Sequence, residues 1–242
     1  MTHTRHEFAP GLILDARGAV FLEQESALAI ADLHLGYAWT HRARGQIMPV
    51  SVPDTTLPRV RSLLDDYRPR IIVLLGDIIH GELLDVQHHG EMRAILAGLR
   101  EQVAVTLIAG NHDRELARLL GEPIPREARI GPHLLLHGDL PDDETAATHL
   151  ASVRATGGYV LMGHEHPSIT MGDGVAHRSR VSCFLAGENL LVLPAFSQWA
   201  AGSNIRVHRF LSPLPRLAPP THAFAILAGK LLPVPLPQSG GA

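Results

Sequence analysis

Uninterrupted apolar runs, each ending in glycine or a polar side chain, dominate the middle of the chain. In residues 71–75, five apolar residues lead directly into Gly76 and Asp77. A run of that length without polar alternation predicts a strand that is buried on both faces. Because Gly76 permits a sharp turn, we expect Asp77 at the carboxyl end of the strand, where open α/β sheets place their ligands.

The same pattern predicts the other elements of an α/β fold. Further buried strands are predicted at residues 27–31, 103–109, 133–136 and 158–162, with short β segments around 169, 184 and 190–193. Amphipathic or capped helices are predicted at residues 55–67 (with Asp54 as cap), 85–100, 114–120 and 142–155. Hairpins are predicted at residues 12–22 and 223–234, and loops at 36–54 and 123–132. Residues 1–242 are therefore expected to form a single domain, in which 213–242 is a proline-rich connector plus a terminal hairpin.

Composition narrows the classes of protein to consider. The 242 residues are 45% hydrophobic, which is enough for a sizeable core, and the net charge of -3 excludes a global basic field for nucleic acid. A single cysteine excludes an internal disulfide. The first residues lack the apolar core of a signal peptide and no run is long enough to span a membrane, so a cytoplasmic protein is expected.

Side chains that commonly bind metals follow five of the predicted strands. They are Asp32 and His34, Asp77, Asn111 and His112, His137, and His164 with His166. If extended backbone continues through 32–34 and 164–166, both members of each pair point the same way. Any one of these residues could be an ordinary surface group or helix cap, but their repetition at five strand ends has no comparable structural explanation.

The chemical types of these side chains indicate which ions would bind. Carboxylate, amide and imidazole groups without thiolate favour divalent Mn, Fe, Zn, Co or Ni over a structural zinc or a calcium site. Since more than four ligands are available, we expect two ions that share one carboxylate.

These segments resemble the five signature motifs of calcineurin-like metallophosphoesterases, D-x-H, G-D, G-N-H-D/E, H and G-H-x-H, across residues 32–166. The resemblance implies a four-layer αββα sandwich with two facing mixed β-sheets. It implies one ion at Asp32, His34, Asp77 and His166, and a second at Asp77, Asn111, His137 and His164. His112 matches the family's histidine that meets the substrate phosphate or leaving group, and Asp113 would orient it.

A narrower likeness concerns the small DNA-ligase-associated phosphoesterases and related archaeal nucleases. It is carried by residues 31–36, 110–114 and 191–196. This likeness implies a phosphodiesterase acting on DNA or RNA by in-line attack of an activated water, with two ions, most commonly Mn²⁺, and with DNA-repair proteins as partners.

Two other functions remain open at this stage. One is a phosphomonoesterase or a hydrolase of nucleotides or cyclic nucleotides, and the other is a non-catalytic scaffold of the same fold, which the complete ligand set disfavours. Basic side chains near the motifs are candidates for binding flanking phosphates, although solvated loop positions explain them equally well. These candidates are His80, Arg114, Arg42 and Arg44, together with His41.

Overall fold

The computed structural model describes residues 3–47, 55–80, 86–172, 178–200, 202–207 and 209–237. Its strands are β1 Arg5–Ala9, β2 Leu12–Asp15, β3 Ala19–Leu22, β4 Ala27–Ala31, β5 Ile71–Leu75, β6 Ala104–Ile108, β7 Glu127–Ile130, β8 His133–Leu136, β9 Val160–Met162, β10 Pro167–Gly172, β11 Arg178–Gly187, β12 Leu190–Val192, β13 Ser203–Asn204, β14 His222–Leu227 and β15 Lys230–Pro235. Its helices are α1 Tyr37–Ala43, α2 Thr56–Tyr67, α3 Val86–Arg100, α4 Leu116–Leu120, α5 Asp143–Thr156 and α6 Leu214–Leu217, with a 3₁₀ turn at Asp113–Glu115.

The first sheet has the order β1-β2-β3-β4-β5-β6. Its first four strands are antiparallel neighbours, whereas β4, β5 and β6 run parallel. The parallel strands are linked by helices, as parallel connections require. Because their carboxyl ends meet at one edge, the residues that follow β4, β5 and β6 are brought close together.

The second sheet has the order β13-β10-β11-β12-β9-β8-β7, and β14 joins it beside β11 with β15 as its hairpin partner. Strands β12, β9 and β8 are parallel, and the others pair antiparallel except for β13. This sheet is therefore mixed like the first, and its parallel strands also end together.

Side chains of β5 alternate between two cores, which shows how the layers are stacked. Ile72 and Leu74 belong to a cluster with α2 and α3, while Val73 and Leu75 belong to a second cluster shared by the two sheets. A third cluster joins the outer face of the second sheet to α5 and α6. The order of layers is thus helices, sheet, sheet, helices, and the expected αββα sandwich with two facing mixed sheets is confirmed.

Three segments differ from the loops and extended chain expected from the sequence. Residues 36–54 include α1, whose Thr40 hydroxyl donates to the backbone oxygens of Gly36 and His80 at 3.3 and 2.8 Å. Residues 123–132 include β7, which is recognisable only through its pairing with β8. The proline-rich connector includes α6, a single turn in which Pro215 sits early enough to leave no helical hydrogen bond unmade.

Other expectations fall partly outside the described residues. These include the proposed cap Asp54, the helix start at Asp85 and the tail at 238–242. In the structure Thr55 is the N-cap of α2, without a side-chain capping bond. The terminal hairpin is present as β14 and β15. Within the described parts of the chain, no helix combines the length and the apolar character needed to cross a membrane.

Candidate metal centre

The five strand ends named in the sequence analysis meet where the edges of the two sheets face each other. The segment after β12 links the sheets, because Leu193 N donates to Met162 O at 2.7 Å and Phe196 N donates to Ala31 O at 2.8 Å. The ends of β4 and β9 are thereby held side by side. Asp32 and His164, which follow these strands, consequently lie in one cleft, where His164 N donates to Asp32 Oδ2 at 3.0 Å.

The backbone at the cleft is left-handed rather than extended. The φ angles are 55° at Asp32, 46° at His34, 45° at Asp77, 69° at His164 and 44° at His166. Side-chain-bearing residues adopt this conformation at a cost of about 1–3 kcal/mol each, and it concentrates at functional sites. The extended backbone supposed for 32–34 and 164–166 is therefore wrong, and alternation along a strand does not aim these side chains. Tertiary contacts set their direction instead.

A first group of ligand atoms is formed by two aspartates and two histidines. One atom from each of Asp32, His34, Asp77 and His166 lies within 4.8 Å of all the others. His34 Nε2 and His166 Nε2 are 3.2 Å apart, and His166 Nε2 is 3.4 Å from Asp32 Oδ1. Both carboxylates are buried, with Asp32 0% exposed.

A second group surrounds His137, on the side of the cleft formed by the second sheet. Its Nε2 lies 3.0 Å from Asn111 Oδ1 and 3.1 Å from His164 Nδ1. The same nitrogen is 3.4 Å from Asp77 Oδ2. Asp77 therefore reaches both groups, which is the position that a shared carboxylate would need.

Three glycines make this close approach possible. A Cβ at Gly76 would lie 2.3 Å from His137 Nδ1, one at Gly110 would lie 2.2 Å from Asp77 Oδ1, and one at Gly163 would lie 2.4 Å from Asp32 Oδ2. Gly76 also has a φ of +68°, which confirms the sharp turn expected after β5. Any larger residue would displace the candidate ligands.

The electrostatics of the two groups suit a bound cation. Burial raises the pKa of Asp77 to about 7, and the nearby carboxylates of Asp32 and Asp113 add to the increase. Burial lowers the pKa of His34 to about 3, with a further decrease from neighbouring His166 and His80. Burial acts to raise the pKa of Asp32, but the hydrogen bond and charge of His166 outweigh it and the pKa is lowered. Imidazole nitrogens that face buried carboxylates at these distances are a donor set that divalent cations bind, so the residues fit the implied metals.

His112 lies at the mouth of the cleft. Its side chain is 45% exposed, and its Nε2 is 3.9 Å from Asp77 Oδ2. Its backbone N–H donates to Asp77 Oδ1 at 2.9 Å. The backbone at His112 is helical, not extended, with a φ of -88° and a ψ of -10°. This turn leaves Asn111 against His137 and His112 towards solvent.

Asp113 is buried behind His112 and accepts backbone hydrogen bonds from two loops. Ile79 N donates to Oδ1 at 3.0 Å and Gly110 N donates to Oδ2 at 2.8 Å. Burial raises the pKa of Asp113, and these bonds oppose the increase. Asp113 thus fixes the loops after β5 and β6 to each other, while its role as the orienter of His112 stays a prediction.

Two of the candidate substrate contacts, His80 and Arg114, neighbour residues of the cleft. His80 Nδ1 is 3.2 Å from His34 Nδ1, and burial, with the charges of His112, His41 and Arg44, lowers the pKa of His80 to about 4. Arg114 is exposed and close enough to His112 to contribute to the lowering of that residue's pKa. Arg42 and Arg44 are exposed at the end of α1. Whether these side chains bind substrate stays a prediction.

Two aromatic residues beside these candidates were missed from the sequence. Tyr37 opens α1, and its ring stacks on that of His41 with centroids 4.1 Å apart. Trp199 comes from the segment after β12, and its ring is tilted by only 6° from that of Tyr37. If helix α1 had been predicted from the sequence, the contact between Tyr37 and His41 could have been predicted too, because these residues are four apart on one helical face.

Two facing mixed sheets with aspartates and histidines clustered at their shared edge are the architecture of a metallophosphoesterase. The model of the calcineurin-like phosphoesterase family matches residues 26–154, and the chain belongs to that family. The match includes the first four motifs and ends before His164 and His166. The chain is also similar to a solved structure, the Pseudomonas putida nuclease MPE, with a TM-score of 0.65 and 24% identity over 96% of this chain and 100% of that chain. A search of curated proteins found no match.

Proposed function

We propose that this protein is a metal-dependent phosphodiesterase that hydrolyses DNA or RNA. Asp32, His34, Asp77 and His166 would hold one divalent ion, and Asp77, Asn111, His137 and His164 would hold a second. The observation that carries this proposal is the position of Asp77, whose carboxylate belongs to the first group and approaches His137 of the second at 3.4 Å. Manganese is the ion we expect to support activity best, because oxygen and imidazole ligands suit it.

Two such ions, when bound, polarise the phosphate and lower the pKa of water towards neutrality. The protein's own contribution is to hold the ligands in a cleft that is already formed. Buried Asp32 and Asp77 supply the negative charge, and the left-handed backbone directs His34, His164 and His166 inwards. Preorganised groups of this kind need no rearrangement when charge develops on the phosphate.

His112 is placed to act on the substrate rather than on the ions. Burial lowers its pKa, with further decreases from nearby His166 and His164, so the free protein carries a neutral imidazole at neutral pH. A neutral ring can still donate its N–H to a phosphate oxygen. The negative charge of a bound phosphate would raise the pKa and favour the protonated form, which can give a proton to the leaving oxygen.

Two observations support nucleic acid as the substrate. The solved structure similar to this chain is that of a protein named a nuclease. Exposed Arg44 and Arg114 lie close enough to the cleft to lower the pKa of His80 and of His112, and Arg42 is exposed in the same helix as His41, although the net charge of the chain is -3. Such local contacts can bind phosphates that flank the cleaved bond. Membership of the DNA-ligase-associated branch and a link to DNA-repair proteins are also part of this proposal.

The test compares a diester with a monoester under metal control. Bis-p-nitrophenyl phosphate, p-nitrophenyl phosphate and single-stranded and duplex DNA would be assayed after chelation and dialysis, then with Mn²⁺, Mg²⁺, Ni²⁺ or Zn²⁺. We expect no activity without metal, the best recovery with Mn²⁺, and a higher kcat/KM for the diester. Asp77→Asn should be inactive, whereas the matched control Asp143→Asn changes an exposed carboxylate that pairs with Arg216 and should behave as wild type.

Each alternative has its own outcome. Full activity in excess chelator would contradict the metal dependence. A strong preference for the monoester would indicate a phosphomonoesterase or a nucleotide hydrolase. Absence of bound metal together with no hydrolysis of any of these substrates would indicate the scaffold.

A further inference from the structure

Five rings form a continuous row that starts at the candidate metal centre and leads outwards. We call His112, His80, His41, Tyr37 and Trp199 the aromatic row. The rings of His112 and His80 have centroids 5.6 Å apart and are tilted by 21°, and His80 and Tyr37 follow at 4.4 Å. The rings of Tyr37 and Trp199 are 6.5 Å apart and 6° from parallel. The rings of His80 and Tyr37 are tilted by 42°. Four separate segments of the chain thus contribute rings to the row.

The outer two rings are attached to the same backbone that carries the candidate ligands. Tyr37 N donates to His34 O at 3.1 Å. On the other side Ser197 N donates to Asp32 O at 3.0 Å, and Trp199 N donates to Ser197 Oγ at 3.2 Å. Their positions are therefore fixed relative to the cleft before any ligand binds, and such preorganisation reduces the entropic cost of binding.

Core packing does not account for these two side chains. Both are half-buried, and among the described residues neither belongs to the three hydrophobic clusters, whereas Trp39 in the same helix packs on the first of them. Aromatic rings that are held at a cleft and remain accessible are typical of sites that stack planar ligands.

We propose that Tyr37 and Trp199 form a base-stacking subsite that holds a nucleobase next to the phosphate at the candidate metal centre. The proposal rests on the proposed phosphodiesterase function and specifies how its substrate is recognised. Because the row begins at His112, the stacked base would belong to a nucleotide close to the cleaved bond. Every base offers a π-face, so the subsite would favour nucleotide substrates without selecting a sequence.

The test measures what the base adds to binding. The 5′- and 3′-monophosphates of deoxyadenosine and, as a probe without a base, deoxyribose 5-phosphate would each be titrated as inhibitors of bis-p-nitrophenyl phosphate hydrolysis. For wild type, we expect the better nucleotide to bind roughly 5- to 150-fold more tightly than the sugar phosphate, the usual range for one stacked base. In Tyr37→Leu and Trp199→Leu the ratio should fall towards one, and Trp199→Phe should retain part of it.

The measured quantity is the ratio of the inhibition constants of two ligands. Partial unfolding of a variant lowers the amount of active protein in both titrations equally and leaves this ratio unchanged. The matched control is Tyr159→Leu, since Tyr159 is also half-buried and contacts Phe8 and His133. It should keep the wild-type ratio. A ratio near one in wild type, or an unchanged ratio in both leucine variants, would overturn the subsite. Cleavage of oligonucleotides is scored separately, so failure of the nuclease proposal with a base-dependent ratio intact would still support the subsite.

Discussion

Replacement of Gly110 by alanine should remove metal binding through a single added methyl group. Gly110 lies two residues after the end of β6, and a Cβ there would lie 2.2 Å from Asp77 Oδ1 and 2.3 Å from Asp77 N. One of these neighbours is backbone, so the contact cannot be relieved by a side-chain rotation alone. The φ angle of Gly110 is outside the left-handed region, and the effect of the substitution is therefore steric rather than conformational.

The size of the effect follows from the overlap. Ordinary contacts of a Cβ begin at 3.4 Å, so both the Asp77 carboxylate and the loop that carries it must move by about 1 Å. Overpacking of this kind costs about 1–3 kcal/mol of stability. A displacement of about 1 Å in a catalytic group commonly costs about 10²-fold in rate. We expect the variant to fold with a lowered melting temperature, to retain fewer than two ions, and to lose kcat/KM by at least that factor.

The assay combines elemental analysis, kinetics with bis-p-nitrophenyl phosphate and thermal unfolding. Gly98→Ala is the matched control, because Gly98 lies within α3 and a Cβ there meets nothing within 4 Å. Alanine is the better helix former by about 0.8–1.0 kcal/mol, so the control should be slightly stabilised and fully active. Wild-type metal content and kcat/KM in Gly110→Ala would refute the assignment of Asp77 as the shared ligand.

Two further predictions concern catalysis and stability. His112→Ala should keep both ions and lower kcat by roughly 10²–10⁴-fold, whereas Asp77→Ala should lose metal and activity together. Elemental analysis beside kinetics distinguishes the two variants. Loss of metal in His112→Ala would show that the role given to His112 is wrong. Asp15→Ala should lower the free energy of unfolding by about 1–3 kcal/mol at pH 7, because buried Arg17 would lose the hydrogen bonds that its Nε and Nη2 donate to Asp15 at 2.9 and 2.7 Å and would keep only Ser62 and Asp66 as partners. Burial acts to raise the pKa of Asp15, but the hydrogen bonds from Arg17 outweigh burial and the pKa is lowered. The stability that Asp15 contributes is therefore present above the unfolded pKa of about 3.9 and is lost as pH falls through the pKa of the folded protein. Urea unfolding at pH 7 and below pH 3.9 should show the difference between Asp15→Ala and wild type shrink, and an equal difference at both would contradict this linkage.

Four of the five strands that carry the candidate ligands, all except β6, were predictable because they are buried on both faces. Residues 71–75 form β5 with the bounds expected, and β4 spans 27–31 as expected. Burial on both faces leaves a continuous apolar run in the sequence, which a pattern of hydrophobicity detects directly. The position of each candidate ligand at a strand end follows from the same signal.

The elements that the sequence did not reveal depend on tertiary contacts. Helix α1 has seven residues, too few to be stable alone, and the Thr40 bond to His80 O helps to hold it. Strand β7 is an edge strand whose partner is only evident once β8 is placed. In the same way, the left-handed backbone at Asp32 and His166 could not be read from residue types, because it is imposed by the loops packed around the cleft.

The ligand groups come from both sheets, and this ties the candidate site to the packing of the whole sandwich. Asp32 and Asp77 follow strands of the first sheet, whereas His137 and His164 follow strands of the second. Neither sheet alone brings these atoms to 3–4 Å, so the site forms only when the apolar cluster between the sheets is closed. Left-handed backbone and buried carboxylates are unfavourable, and the burial of apolar side chains elsewhere in the molecule offsets their free energy. A strained, charged cleft can therefore persist at the edge of a well-packed core.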